Sequence, residues 1–284
     1  MSKKSKKKEK RVLKIYERVT IIIGVIVVTA IVVRAVDNQV SERLVGDSDS
    51  NGSCPQEMVY ISSAEGGFCI DKYEASVGPD CPIQNPTSQG DTRSNIDYAS
   101  CWPISMEQTI PWRNISQNQA ALACAKAGKR LPTNKEWYLA ALGTPDKQIG
   151  WNIDDCQVAK NWSSQPGLTG SGRNCVSGSG VYDMIGNVWE WVDGSVFNGS
   201  YKDRLLPETG YIKGVDDSAL PSETDGNKSD ANYYHDYFWV KSKGTRGMAR
   251  GGYWDNESDA GQYALYAVTQ PSFASDGVGF RCVK

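Results

Sequence analysis

All eight cysteines of the chain (Cys54, Cys69, Cys81, Cys101, Cys124, Cys156, Cys175 and Cys282) lie on the C-terminal side of an uncharged apolar run, residues 19–33 (VTIIIGVIVVTAIVV). That order constrains the fold more than any other feature. An even set of cysteines in an exported segment reads as a disulfide framework, which suits a domain rich in loops. No two are spaced as a CxxC pair, so a zinc ribbon lacks its ligand pattern. Spacing alone leaves the connectivity open.

The apolar run comes directly after Lys3, Lys4, Lys6, Lys7, Lys8, Lys10, Arg11, Lys14 and Arg18, opposed only by Glu9 and Glu17. A basic flank of this kind keeps the N-terminus inside and places the C-terminal remainder of the chain outside. The run is short for a full span, but Ala35 and Val36 extend it and Arg34 can snorkel. Residues 1–18 are therefore expected to be a basic cytoplasmic tail, 19–36 a single-pass signal anchor in the cell membrane, 37–53 a Ser/Asp/Gly-rich stalk, and 54–284 an extracellular domain. A signal peptide cleaved near Val33-Arg34-Ala35 is the rival reading. A pilin-like leader is weaker, because its Gly-Phe processing junction is missing. The membrane is thus one expected partner. Nucleic acid is not: the net charge is -2, and the basic tail runs directly into the apolar segment.

Strands are expected at residues 58–61 and 68–73 around a Gly66-Gly67 turn. Residues 78–98 read as a Pro/Ser/Asn loop. Two helices carry clear punctuation. Ser116-x-x-Gln119 and Thr133-x-x-Glu136 are capping boxes, and Gly128 and Gly143 are the natural stops. No convincing helix lies beyond Thr144, and residues 198–242 read as a long polar surface excursion.

Residues 250–284 have two interleaved components. Arg250-Gly251-Gly252, Trp254, Pro271 and Gly279-Phe280-Arg281-Cys282 form a structural frame. Between them stand Tyr, Asp, Asn, Ser, Thr and Phe, the composition of an antibody paratope. Earlier, Asp183 and Glu190 flank a Gly-containing turn, and carboxylates with turn carbonyls are hard oxygen ligands suited to Ca2+. The plainer alternative has Asp183 capping the turn and Glu190 bonded to backbone amides.

Three segments together, AGKRLPTNKEWYLAA (residues 127–141), YDMIGNVWEW (182–191) and RGGYW...GFRC (250–282), closely resemble the formylglycine-generating enzyme family, the sulfatase-modifying domain with a C-type-lectin-like fold. The resemblance covers roughly residues 57–284, with the motifs in order. It implies an α+β domain of two helices, short twisted antiparallel sheets and much irregular structure. It also implies a Cys124–Cys282 bridge, which leaves Cys54–Cys69, Cys81–Cys101 and Cys156–Cys175 as the simplest remaining pairs. For calcium it points to the side chains of Asp183 and Glu190 and the carbonyls of Gly186 and Val188.

The family's oxidase holds copper with two cysteines shortly after the RGG frame. Here those positions fall near Asn256 and Gly261, and the stretch contains no cysteine. Soft Cu(I) needs thiolates. The related iron branch needs several histidines, whereas this chain has one, His235. Neither copper nor iron is therefore expected, and no catalytic residues. The C-terminal frame instead resembles the variable proteins of diversity-generating retroelements. There, Asn-type codons between fixed frame residues are rewritten. Tyr253, Asp255, Asn256, Asp259, Tyr266, Val268, Thr269, Phe273, Ser275, Asp276 and Gly277 are all residues such codons can reach. The expectation is an exposed, contiguous ligand-binding face made by the first ten of these, with Trp254 partly buried beneath it, and an external protein or glycan as ligand. The alternatives are an oxidase with other ligands or a structural cell-envelope protein.

Overall fold

The computed structural model describes residues 54–227 and 233–284. The tail, anchor and stalk expected over 1–53 lie outside the described residues. Among the described residues no helix is long and apolar enough to cross a membrane.

The domain is α+β. Strands β1 (Met58–Ile61) and β2 (Phe68–Asp71) form an antiparallel pair, as do β3 (Ala75–Val77) and β4 (Pro103–Ser105). Between β3 and β4 runs α1 (Gln89–Asp97), a helix inside the stretch read as a loop. It starts on a capping box in which Ser88 and Asp91 each satisfy the other's backbone N–H. The two expected helices come next, α2 (Gln117–Lys126) and α3 (Asn134–Ala141). Each starts on its capping box, from Ser116 and Thr133 respectively.

The largest sheet has nine strands. They are β5 (Trp189–Phe197), β6 (Ser200–Tyr201), β7 (Arg204–Leu205), β8 (Gly210–Val215), β9 (Pro221–Asp225), β10 (Tyr237–Val240), β11 (Thr245–Arg250), β12 (Leu265–Ala267) and β13 (Val278–Phe280). It corrects two expectations. The stretch 198–242 is not a surface excursion: β6 to β10 belong to this sheet, and Phe238 is fully buried. The sheet is also mixed, because β10 pairs parallel with β12 and β13 parallel with β5.

All four disulfides join the expected pairs: Cys54–Cys69, Cys81–Cys101, Cys124–Cys282 and Cys156–Cys175. The third ties α2 to the end of the chain, 158 residues away. Two buried apolar clusters flank the large sheet. One gathers Trp137, Met184, Phe238 and Met248, the other Trp112, Ile115, Trp191 and Phe280.

Candidate ligand-binding site: an aromatic hollow on the large sheet

The register of the sheet builds the site. Trp239 lies opposite Tyr266, Tyr266 opposite Ala249, Ala249 opposite Trp191, and Trp191 opposite Phe280. Residues in register across strands present their side chains to one face. Most of that row is aromatic and its middle member is an alanine, so the face dips at Ala249. Trp189, two residues before Trp191, joins the same face opposite Val278. The result is a hollow of about 380 Å³ floored by Trp189, Trp191, Trp239, Ala249 and Tyr266.

Its walls come from the two loops flanking β12. Tyr253 and Asn256 stand on the loop after β11; Thr269, Phe273, Ser275 and Asp276 stand on the connection to β13. That first loop leaves β11 through Gly252, where φ is +91° and a Cβ would meet the Cβ of Ala260 at 2.3 Å. Only glycine fits such a turn without displacing backbone. The Asn256 Oδ1 accepts a hydrogen bond from the Tyr253 N–H at 2.9 Å, and the Trp189 N–H donates to the Gly277 carbonyl at 2.9 Å. Both walls are thereby tied to the frame.

Seven of the ten expected ligand-binding residues line this hollow: Tyr253, Asn256, Tyr266, Thr269, Phe273, Ser275 and Asp276. Three do not. Asp255 points outward to an ion pair with Lys160 at 2.8 Å, Asp259 closes a 3-10 turn, and Val268 is half-buried away from the cavity. The face is concave rather than open. Phe273 is 41% exposed, whereas Tyr253 and Tyr266 are half-buried against the second core cluster; Trp254 is half-buried, as expected. Of the floor, sequence reasoning named Tyr266 and missed Trp189, Trp191, Trp239 and Ala249. The Trp-x-Trp alternation of β5 was its visible signal; Trp239 carried none, because it sits in the stretch read as a polar excursion.

The rings are set at angles to one another. Trp189 and Trp239 meet edge to face at 5.5 Å and 90°, and Tyr266 lies 5.6 Å from Trp189 and 6.4 Å from Trp239. Burial raises the phenols of Tyr253 and Tyr266 above their ordinary value, so both stay neutral. Asp276 is the one charged side chain among the lining residues. Three larger depressions, of about 760, 820 and 580 Å³, contain none of the ten residues, and a fourth, of about 440 Å³, shares Ser275 and Asp276 with the hollow.

Beneath the site lies a buried ionic frame. Arg281, fully buried, donates to both carboxylate oxygens of Glu190, at 2.6 and 2.7 Å, and the Trp137 indole donates to Glu190 Oε2 at 2.7 Å. Asp183 accepts from the Gly170 N–H at 2.6 Å, while its Oδ1 has no partner. Glu74, also fully buried, accepts from the Asn187 amide at 2.6 Å and the Val188 N–H at 3.2 Å. Burial pushes Asp183 up to about 7 and raises Glu74 well above the carboxylate range, where the charges of Asp183 and Glu190 push it further.

The residues named for calcium, Asp183, Gly186, Val188 and Glu190, fall on this frame. Glu190 presents both oxygens to the Arg281 guanidinium, a poor arrangement for a cation's ligand shell, whereas Asp183 keeps Oδ1 without a partner. The plainer alternative is not met: Glu190 meets side chains rather than backbone amides, and Asp183 reaches a different loop. Melting curves of the protein in calcium and in chelator are expected to superimpose; a calcium-dependent rise lost in Asp183→Ala would show the ligand role to be real.

The structure thus defines a disulfide-braced α+β scaffold that displays its C-terminal loops around an aromatic hollow. Residues 67–284 match the sulfatase-modifying factor enzyme 1-like domain, and the chain belongs to that family. It is 29% identical over 136 residues to the formylglycine-generating enzyme of Mycobacterium tuberculosis, covering 39% of this chain and 46% of that protein. It is 32% identical over 124 residues to the inactive C-alpha-formylglycine-generating enzyme 2 of Bos taurus, covering 39% and 41%. The matches therefore span less than half the length of these relatives. Among solved structures, the Major Tropism Determinant P3c variant is similar at a TM-score of 0.41 and 18% identity, covering 81% of this chain and 52% of that one. Treponema denticola variable protein 1 is similar at 0.38 and 14%, covering 81% and 99%. Likenesses this distant carry no functional inference.

Proposed function

We propose that the domain is a ligand-binding protein on this family's scaffold, displayed outside the cell membrane by the N-terminal segment and diversified at its C-terminal loops, and that it does not run the family's oxidase reaction. One observation carries the reading. Seven side chains from the interleaved set of the C-terminal run converge on one hollow, six on its walls and Tyr266 on a floor otherwise supplied by Trp189, Trp191, Trp239 and Ala249. Neutral aromatics on a braced scaffold give contact area at low ordering cost. The cysteines support the same reading. All eight are held in disulfides, so none is available as a copper ligand or nucleophile. At the two positions of the oxidase's cysteines, Asn256 secures the Tyr253 N–H, and Gly261 packs so closely on Asp236 that a Cβ would sit 2.0 Å from its carboxylate.

The test uses the full chain against arrays of glycans and secreted proteins. Phe273→Ala and Asp276→Asn are expected to weaken binding to any captured target about tenfold, roughly 1.4 kcal/mol each, while the melting temperature stays put. Leu205→Ala, exposed outside the hollow, is expected to change neither. Targets bound equally well by both hollow variants, or an aldehyde formed on a cysteine-containing peptide, would overturn the reading.

A further inference from the structure

We propose that the hollow takes a quaternary ammonium group, the trimethylammonium head of a phosphocholine-type ligand, an inference that rests on the ligand-binding function proposed for the same hollow. Ring faces carry partial negative charge, and a cation is held best where several faces surround it. Trp189, Trp239 and Tyr266 bring three rings to the one hollow. Their centroids are 5.5 to 6.4 Å apart and their planes are crossed by 90°, 40° and 51°. Rings so crossed offer no single flat face of the kind that stacking a sugar ring calls for.

The charge agrees. Asp276 is the one charged residue of the lining, and Tyr253 and Tyr266 remain neutral. The hydrogen-bond inventory narrows the cation further. A primary ammonium or a guanidinium brings several N–H donors that must exchange water for acceptors. The amide oxygen of Asn256 is already engaged by the Tyr253 N–H, and Trp189, Trp191, Trp239 and Ala249 of the floor offer no side-chain acceptor, so acceptors are confined to the walls and the Tyr266 hydroxyl. A trimethylammonium head has no N–H. It presents a skin of methyl groups to the rings and needs only the carboxylate nearby.

Beyond Ser275 and Asp276 the surface dips again. This second depression is lined by Thr87, Arg113, Asn114 and those same two residues. The Arg113 Nε is buried there without a hydrogen-bond partner. A guanidinium set beside a cation site suits an anion covalently linked to the cation, and phosphate is the anion that arginine recognises best. One phosphocholine can therefore lay its head over the rings and its phosphate toward Arg113.

Titration of the full chain, monitored by tryptophan fluorescence, tests this with defined probes: phosphocholine, choline, the neutral isostere 3,3-dimethylbutan-1-ol, a trimethyllysine peptide and chitotriose. Phosphocholine and choline are expected to saturate the signal, with the neutral isostere at least about tenfold weaker. Asp276→Asn is expected to weaken choline about fivefold. Arg113→Ala is expected to reduce phosphocholine to the affinity of choline and leave choline unchanged. Equal binding of choline and its neutral isostere would overturn the proposal, as would saturation by chitotriose alone. A trimethyllysine peptide that binds as tightly as phosphocholine, with Arg113→Ala silent, would overturn the phosphate side. If no ammonium probe binds while Phe273→Ala still weakens an array target, this inference falls and the ligand-binding reading stands. If Phe273→Ala leaves array targets unaffected, the reading falls with it.

Discussion

Arg281→Met will destabilise the domain by about 3–5 kcal/mol, the range observed when one partner of a buried ion pair is removed. The guanidinium is fully buried, holds both oxygens of Glu190, and donates to the carbonyls of Tyr182 and Asp71 at 2.8 and 3.1 Å. Its positive charge also opposes the upward shifts of Glu74 and Asp183. Without it three buried carboxyls face one another uncompensated. The pH dependence carries the signature. A carboxyl raised in the folded state, as Asp183 is to about 7, keeps a proton that the unfolded chain has already released above about 4. Across that window the folded state binds more protons, so stability falls as pH rises through about 7. Carboxyls lowered by folding, such as Asp216 and Glu136, act in the opposite direction below about 4, outside the window. In Arg281→Met the raised carboxyls move higher still, so the decline should steepen and extend past pH 7. Urea midpoints at pH 5, 6, 7 and 8 measure this. A loss under about 1 kcal/mol with an unchanged slope would show that the pair contributes little.

The second large effect belongs to the bridge between Cys124 and Cys282. It closes a loop of 158 residues, against 15, 20 and 19 for the other three. Constraint of the unfolded chain grows with loop length, and removal of a native bridge costs about 2–5 kcal/mol. The double variant Cys124→Ala/Cys282→Ala should therefore melt on the order of 10 °C lower, and by more than the variant lacking Cys81–Cys101. Equal losses from the two variants would mean that local strain, not chain entropy, sets the contribution. Non-reducing peptide maps must show Cys124 and Cys282 in one fragment.

The legibility of the sequence depends on the range of the forces involved. Helix starts are local, and the capping boxes at Ser116 and Thr133 mark α2 and α3 to the residue. The same signal, Ser88-x-x-Asp91, marks α1, but its helix has no apolar stripe to accompany it: only Thr92 and Asn95 are buried. Strands β8 to β10 were illegible for a different reason. Polar side chains on Ser222, Glu223 and Asp225 face solvent, and the pairing partners of Tyr237 and Trp239 lie far along the chain. In the site, the walls were legible because they carry their composition in one run of sequence. Of the floor only Tyr266 was, because the alignment that sets it beside Trp239 and Ala249 exists only once three separate strands are in register. The role of Glu190 was hidden in the same way, since its partner Arg281 is 91 residues distant.

The division of the site between strands and loops has an evolutionary consequence. The floor is fixed by backbone pairing and by side chains shared with the core, so change there is penalised through folding. The walls stand on turns whose ends are already fastened at Gly252, Asn256 and Gly277. Exchanges at Phe273, Ser275 or Asp276 can therefore redraw the outline of what is admitted while the underlying attraction persists. A lineage could move between related targets by single steps without passing through an unfolded or non-binding intermediate.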